Sequence, residues 1–295
     1  MLNLIRAEWL KLTKRPLSWV LLAIFLGLLV LQLLVQFVIA YLSELMGLGS
    51  SAAPLGPQLE EWRRRTVFPG LFGSIFSHIN SLGGIFAVIL AAGAMGSEYS
   101  WGTLRTQIAR HPGRRRYLIA KLITLLALLV AAMVLALLLG SAIGTGLGAI
   151  VGIAGAPGAA DLALLPLAIL RALYVLLPYV LLTLCFTVVG RSLLVGVAGG
   201  LLYLVFEAGF GTLAALRMLG GIWELVYSLT IQQNINTLVM LNDQAFGLHP
   251  ELLAPMDVSK LPSPLQAILV VALYCASFLA TALYLLRRRD IGGAA

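Results

Sequence analysis

Two runs of this sequence, 16–43 and 66–97, contain no charged residue. A helix that crosses the hydrocarbon core of a bilayer needs roughly 20 apolar residues, and both runs exceed that length. Over the whole chain of 295 residues, 60% are hydrophobic and only 11% are charged. These values exclude the soluble globular class and predict an all-α polytopic membrane protein.

The apolar runs predict six transmembrane helices, at approximately 17–41, 73–96, 122–150, 167–190, 193–215 and 265–286. Between the last two, the mixed region 217–264 is too polar for a lone crossing, so we expect outer-leaflet or re-entrant helices there. We interpret the whole of 1–295 as a single transmembrane domain.

Residues 1–16 place apolar side chains at spacings of three and four, with basic residues elsewhere around the helix. This pattern predicts an N-terminal interfacial amphipathic helix whose basic residues face anionic headgroups. The alternative is a plain basic flank to the first span. The residues that form the apolar stripe are Leu2, Ile5, Trp9 and Leu12, and the basic ones are Arg6, Lys11, Lys14 and Arg15.

The distribution of Lys and Arg predicts the orientation of the chain. With both termini in the cytoplasm, the cytoplasmic segments hold 14 of the 20 Lys and Arg residues, as the positive-inside rule requires. The run 63–65 is an exception, because three arginines there fall on the predicted outer side. Partial neutralisation by Glu60 and Glu61 is the only account of it that the sequence offers.

The segment 98–121 is a basic island with six Lys and Arg residues and one acid. Within it, Trp101, Leu104 and Ile108 form an apolar stripe that predicts a short helix lying along a surface. Pro112 and Gly113 end that helix, and Arg114 begins another that continues into the third span. The simplest reading of the island is a loop that only sets the topology.

The island also resembles the first cytoplasmic loop of type-2 ABC transporter permeases, in which an acid, a Gly-Thr pair, a basic residue, a Pro and a Lys precede the next span. The resemblance implies a cytoplasmic coupling loop at 97–121 that docks a separate ATPase, with Glu98 and Arg105 as its main polar contacts. The residues expected to couple to the ATPase are Glu98, Trp101, Gly102, Thr103, Arg105, Pro112, Arg116 and Lys121.

The same resemblance implies a permease that works as a homodimer or heterodimer, favours export and lies in the plasma membrane. ATP and magnesium would be bound by the partner ATPase, and this chain would bind no cofactor or metal. It would not itself be an enzyme, and we expect no nucleic-acid partner.

Small residues at intervals of four predict close helix packing. On the third span these are Gly140, Gly144, Gly148 and Gly152, and on the fifth span Gly196 and Gly200. Glu207 is the one acid that we place at membrane depth. It either pairs with Arg171, Arg217 or a headgroup, or faces the transport pathway.

No phosphate-binding loop, zinc-protease helix or nucleophile elbow occurs in the sequence. Any ATP hydrolysis would then belong to another polypeptide, and the resemblance makes the permease subunit of an ATP-driven transporter the leading hypothesis. The alternatives are an integral membrane enzyme acting on lipid, with His78, Glu207 or His249 as catalytic candidates, and an ATP-independent carrier or assembly protein.

Overall fold

The computed structural model describes residues 1–45, 56–103, 113–153, 155–212, 220–253 and 261–288, and every regular element within these ranges is helical. The helices are α1 (Leu2–Lys14), α2 (Pro16–Leu45), α3 (Gly56–Arg64), α4 (Gly70–Ser100), α5 (Arg114–Val151), α6 (Ala159–Gly190), α7 (Leu193–Thr212), α8 (Ile222–Ser228), α9 (Ile231–Ala245) and α10 (Pro264–Arg288). A short 3-10 helix covers Pro250–Leu252.

Within the described residues, α2, α4, α5, α6 and α10 are long and apolar enough to cross a membrane. The prediction of an all-α polytopic membrane protein is confirmed. The sixth predicted span falls on α7, whose apolar stretch Leu193–Glu207 is about 22 Å long at about 1.5 Å per residue, against a hydrocarbon core of about 30 Å. A crossing by α7 therefore stays a prediction.

Several helices extend beyond their predicted spans. The helix α5 begins at Arg114, as predicted, so the basic residues 114–116 lie on the same continuous helix as the apolar residues of the predicted span 122–150. The helix α6 begins at Ala159, where the Asp161 carboxylate accepts a hydrogen bond from the Gly158 amide at 2.9 Å.

Contacts between distant parts of the chain define the two ends of the bundle. At one end, the Arg114 guanidinium donates to the carbonyls of Leu286 and Arg287, each at 2.8 Å. We call this the terminal end, because α1 and the last turn of α10 both lie there. At the opposite end, the His249 amide donates to the Glu61 carboxylate at 2.9 Å.

The helices α4 and α6 form the centre of the bundle. Within their apolar stretches 61% and 67% of residues are buried, against 22–33% for α2, α5 and α10. The outer three helices therefore expose most of their apolar surface, as helices facing lipid do. The central pair is held by side chains from all its neighbours, which fixes the positions of the residues at both ends of α4.

Glycines let the side chains of α4 pack into α5. A Cβ atom at Gly140 would lie 2.7 Å from Ile75 Cδ1, and one at Gly144 would lie 2.3 Å from Leu71 Cδ2. Gly148 is buried on the same helix.

The glycines of α7 allow a second close contact. A Cβ at Gly196 would lie 2.1 Å from Thr187 Oγ1, and one at Gly200 would lie 2.6 Å from both Thr183 Oγ1 and Val88 Cγ1. The helix α7 thus packs closely against both α6 and α4.

Gly152 does not belong to the packing ridge predicted for α5. It ends the helix in the left-handed conformation at φ +77°, and its amide donates to the Ala149 carbonyl at 3.3 Å. A Cβ there would meet nothing within 4 Å. The four-residue spacing was therefore misleading at its last member, where glycine serves as a helix C-cap.

Candidate functional site

A buried group of charges joins three helices at the terminal end. The Lys121 ammonium on α5 donates to Glu8 Oε2 on α1 at 2.6 Å and to Glu98 Oε1 on α4 at 3.0 Å. Its third bond goes to the Ala94 carbonyl at 3.0 Å. Lys11 lies 2.5 Å from Glu8 Oε1 and 3.2 Å from Glu98 Oε1. We call Glu8, Lys11, Glu98 and Lys121 the ionic cluster.

Charge balance makes this burial tolerable. Glu8, Glu98 and Lys121 are each only 1% exposed, and a lone buried ion costs several kcal/mol. Two ammonium groups and two carboxylates cancel one another here. Burial by itself would raise the pKa of Glu8, but the charges and hydrogen bonds of Lys121 and Lys11 outweigh it and hold that pKa below its usual value.

The helical register of α1 brings its polar residues onto one face. Glu8 and Lys11 are three residues apart and Arg15 follows four residues later, so all three point the same way. Arg15 donates to the Gly93 carbonyl at 3.0 Å and to Ser97 Oγ at 2.7 Å. The helix α1 is therefore fixed to the last two turns of α4.

This arrangement corrects part of the prediction for α1. Lys11 and Arg15 bind to the protein rather than to headgroups, whereas Arg6 and Lys14 are exposed. The overlooked signal was Glu8, the one acid in residues 1–16. An acid is unfavourable beside anionic headgroups, so its presence favoured a face of α1 turned towards protein.

The predicted coupling residues fall into three groups. Glu98 and Lys121 are buried in the ionic cluster, so the expectation that Glu98 is a surface contact for an ATPase was wrong. Exposed or partly exposed positions are Trp101, Gly102, Thr103 and Arg116. Arg105 and Pro112, with most of the predicted coupling helix, lie outside the described residues.

Trp101 connects the buried contacts to the surface. Its ring is 66% exposed, and the Arg15 guanidinium lies 5.1 Å from the ring centroid. Gly102 follows at φ +66°, a left-handed conformation that glycine adopts without strain and that ends α4.

Glu207 occupies a polar pocket between α6, α7 and α9. Its carboxylate accepts hydrogen bonds from the Tyr203 hydroxyl at 3.0 Å, the Gln232 amide at 3.1 Å and the Tyr179 hydroxyl at 3.3 Å. It is 5% exposed. Arg171 instead donates to the Leu241 carbonyl at 3.3 Å, and Arg217 lies outside the described residues. A pathway role for Glu207 stays a prediction.

A second group of buried charges lies at the opposite end. Arg65 Nε is 3.3 Å from Glu61 Oε1, and Arg65 is 6% exposed. This pairing accounts for one of the arginines that broke the positive-inside pattern. Asp243, 3% exposed, forms no ion pair with any described residue. We call Glu61, Arg65, Asp243 and Glu251 the acidic cluster.

The acidic cluster has more carboxylates than it can neutralise. The pKa of Asp243 is raised to about 7, chiefly by burial; Arg65 opposes the rise, and the charges of Glu61 and Glu251 add to it. Among the described residues, one oxygen each of Glu61, Asp243 and Glu251 has no hydrogen-bond partner, and the same holds for Glu98 Oε2 in the ionic cluster.

The residues proposed for a lipid enzyme are not brought together. His78 bonds to the Gln32 side chain at 2.7 Å and to the Phe25 carbonyl at 3.1 Å, and His249 contacts Glu251 at 3.1 Å. No contact among the described residues links His78, Glu207 and His249. In those residues there is also no group of three His, Cys, Asp or Glu arranged to hold a metal.

Comparison with known proteins gives the chain a family. A family described as "Protein of unknown function (DUF2705)" matches residues 58–292. The chain belongs to the DUF2705 family. The DUF2705 match includes Glu98, Lys121 and the acidic cluster, and it begins after α1.

One relative is an uncharacterized protein, YhcI, of Bacillus subtilis (strain 168), which is 28% identical over a match covering 42% of this chain and 49% of the relative. The match thus spans about half the length of that protein. No solved structure matches the chain.

Proposed function

We propose that this DUF2705 protein is the membrane-spanning permease subunit of an ATP-driven transporter. The observation that carries the proposal is the ionic cluster, which binds α1, α4 and α5 to one another at the loop between α4 and α5. A loop that only set the topology would need exposed basic residues. It would not need a buried Lys121 bonded to carboxylates on two other helices.

The cluster gives a partner ATPase a route for moving the bundle. The exposed Trp101 and Gly102 lie at the end of α4, and α5 begins again at Arg114. Because Lys121 and Glu98 are bonded to each other, a force on the loop moves the ends of α4 and α5 together. Glu8 extends that rigid unit to α1. Displacement of packed helices as units is a common form of conformational switching.

The remaining parts of the proposal follow from the resemblance and from charge. The terminal end would face the cytoplasm of the cell, where the ATPase binds ATP and magnesium. A second permease chain, identical or related, would complete the pathway. The resemblance favours export, and the cargo is not specified by any residue discussed above.

Replacing Arg105 with Glu tests the proposal. The tagged full-length chain is produced in its native host, extracted in mild detergent and assayed for a co-purifying subunit that hydrolyses ATP. We expect the parent to retain that subunit. The Arg105→Glu variant should retain at least about tenfold less of it, which corresponds to a loss of about 1.4 kcal/mol or more in binding free energy.

Arg288→Glu is the matched control, because it makes the same charge change at the terminal end but outside the loop. It should retain the ATPase as the parent does. Parent protein that purifies without any ATP-hydrolysing subunit, or equal retention by both variants, would refute the proposal and favour an ATP-independent carrier.

A further inference from the structure

An apolar cleft of about 210 Å³ opens between α2, α4, α5 and the end of α1. Its deep wall is formed by Phe25, Ile79 and Met133, and its rim includes the exposed Trp19 and Leu135. Because exposed side chains of α2 and α5 form that rim, the cleft opens sideways towards lipid.

The length of the cleft corresponds to one leaflet. Its lining residues run from Ser18 to Phe25 on α2 and from Ile79 to Leu90 on α4. At about 1.5 Å per residue these distances are about 10 Å and about 16 Å, close to half of a hydrocarbon core of about 30 Å. The cleft therefore extends from the interface to about the middle of the bilayer.

The mouth of the cleft carries polar and basic groups. Trp9 and Thr13 of α1 line it, and the Trp19 indole donates to the Thr13 carbonyl at 2.7 Å. Arg6 lies three residues before Trp9 and so beside it on the helix surface, and Lys14 is the last residue of α1, next to Thr13 but about 100° further around the helix. Both cations are exposed, and neither forms an ion pair with any residue that the structure describes.

We propose that this cleft holds one acyl chain of an anionic phospholipid from the leaflet at the terminal end, with Arg6 and Lys14 at its headgroup. The volume is below the roughly 300–1,000 Å³ of sites for drug-sized molecules. A second copy of the chain would bring like charges together at the same mouth. Each Lys or Arg near a membrane surface favours anionic lipid by about fivefold.

The experiment uses the full-length protein in lipid nanodiscs that contain a trace of phosphatidylglycerol or phosphatidylcholine with a photoreactive group midway along one chain. Cross-linked peptides are quantified by mass spectrometry. We expect adducts near Phe25 and Leu128 and a yield at least about fivefold higher from phosphatidylglycerol than from phosphatidylcholine.

Ala132→Phe fills the cleft from α5 and should lower the cross-linking yield at least fivefold. The matched control is Ala142→Phe, which places the same ring on an exposed part of the same helix. Ala131→Leu is a smaller filling change for use if Ala132→Phe does not fold, as judged by its melting temperature.

The headgroup contact is tested separately. Arg6→Gln combined with Lys14→Gln should abolish the preference for phosphatidylglycerol, while Arg287→Gln combined with Arg288→Gln should preserve it. Equal labelling of parent and filled variants, or adducts confined to other helices, would overturn the acyl-chain site. An unchanged preference for phosphatidylglycerol in the Arg6 and Lys14 double variant would overturn the proposal that these two cations bind an anionic headgroup. None of these measurements involves ATP hydrolysis or transport, so their outcome is independent of the proposed function.

Discussion

The two ends of the bundle both bury charged residues, but they balance the charge differently. The ionic cluster at the terminal end has two ammonium groups for two carboxylates, and each carboxylate has a cation within 3.2 Å. The acidic cluster at the opposite end has Arg65 paired with Glu61 and near Asp243, while Glu251 contacts His249 at 3.1 Å.

The difference shows that burial alone does not define the role of a charged group. A balanced cluster can act as a fixed connection between helices over a wide pH range. A cluster with excess carboxylates responds to pH, because at least one of them holds its proton near neutrality. The first property keeps α1, α4 and α5 connected at the terminal end, and the second makes the stability of the opposite end depend on pH.

Among the variants that test this difference between the two ends, Lys121→Met should lose the most stability. It leaves Glu8 and Glu98 with Lys11 as their remaining partner in the cluster, and breaking a buried ion pair costs about 3–5 kcal/mol. Thermal unfolding in detergent should show a correspondingly lower melting temperature. Arg115→Met, which removes an exposed cation from the same helix, should change stability by less than about 0.5 kcal/mol.

The double variant with Glu8→Leu and Lys121→Met removes one charge of each sign and should recover part of the lost stability. If the Lys121→Met variant has the same melting temperature as the parent, the cluster does not hold the three helices together.

Replacing Asp243 with Asn should have a smaller effect that depends on pH. Between about 3.8 and about 7 the unfolded chain loses the Asp243 proton while the folded chain keeps it. The contribution of Asp243 to stability therefore falls as pH rises through this window. The variant should be more stable than the parent at pH 8 by on the order of 1–3 kcal/mol, and similar to it at pH 4.

Melting temperatures measured from pH 4 to pH 8 check this result, with the exposed Glu60→Gln as the control at the same end. Above about pH 4.5 Glu8 should not contribute to the slope, because the stability that its lowered pKa provides is lost only as pH falls below its usual value of 4.5. If the melting temperatures of the parent and Asp243→Asn change with pH in the same way, the two ends do not differ in their response to pH.

The smallest effect is expected for Ser97→Ala, which deletes the hydroxyl that accepts from Arg15 at 2.7 Å. A single hydrogen bond of this kind is worth about 0.5–1.5 kcal/mol. The control Ser100→Ala lies one turn later, where the hydroxyl bonds only within its own helix. A loss of stability no larger than that of the control would show that Arg15 is held by Gly93 and Trp101 instead.

Local patterns in the sequence determined the class of the protein and much of its layout. Long uncharged runs can only be buried in lipid or in one another, so α2, α4, α5, α6 and α10 were predictable. The start of α5 at Arg114 was also predictable, since Pro112 and Gly113 interrupt a helix through local backbone geometry. Such features depend on neighbours within a few residues, which a sequence displays directly.

Only the tertiary structure decided how the charged residues are used. Glu8 and Lys121 are far apart in sequence and no spacing rule relates them, so their ion pair exists only because α1 packs against α5 in the folded bundle. For the same reason Glu98 lies inside the protein although it belongs to a basic, solvent-facing segment. The conformation of Gly152 was likewise set by the end of its helix and not by the spacing that linked it to Gly148. Partners that meet across helices are chosen by packing and charge balance in three dimensions, which periodicity along the chain does not encode.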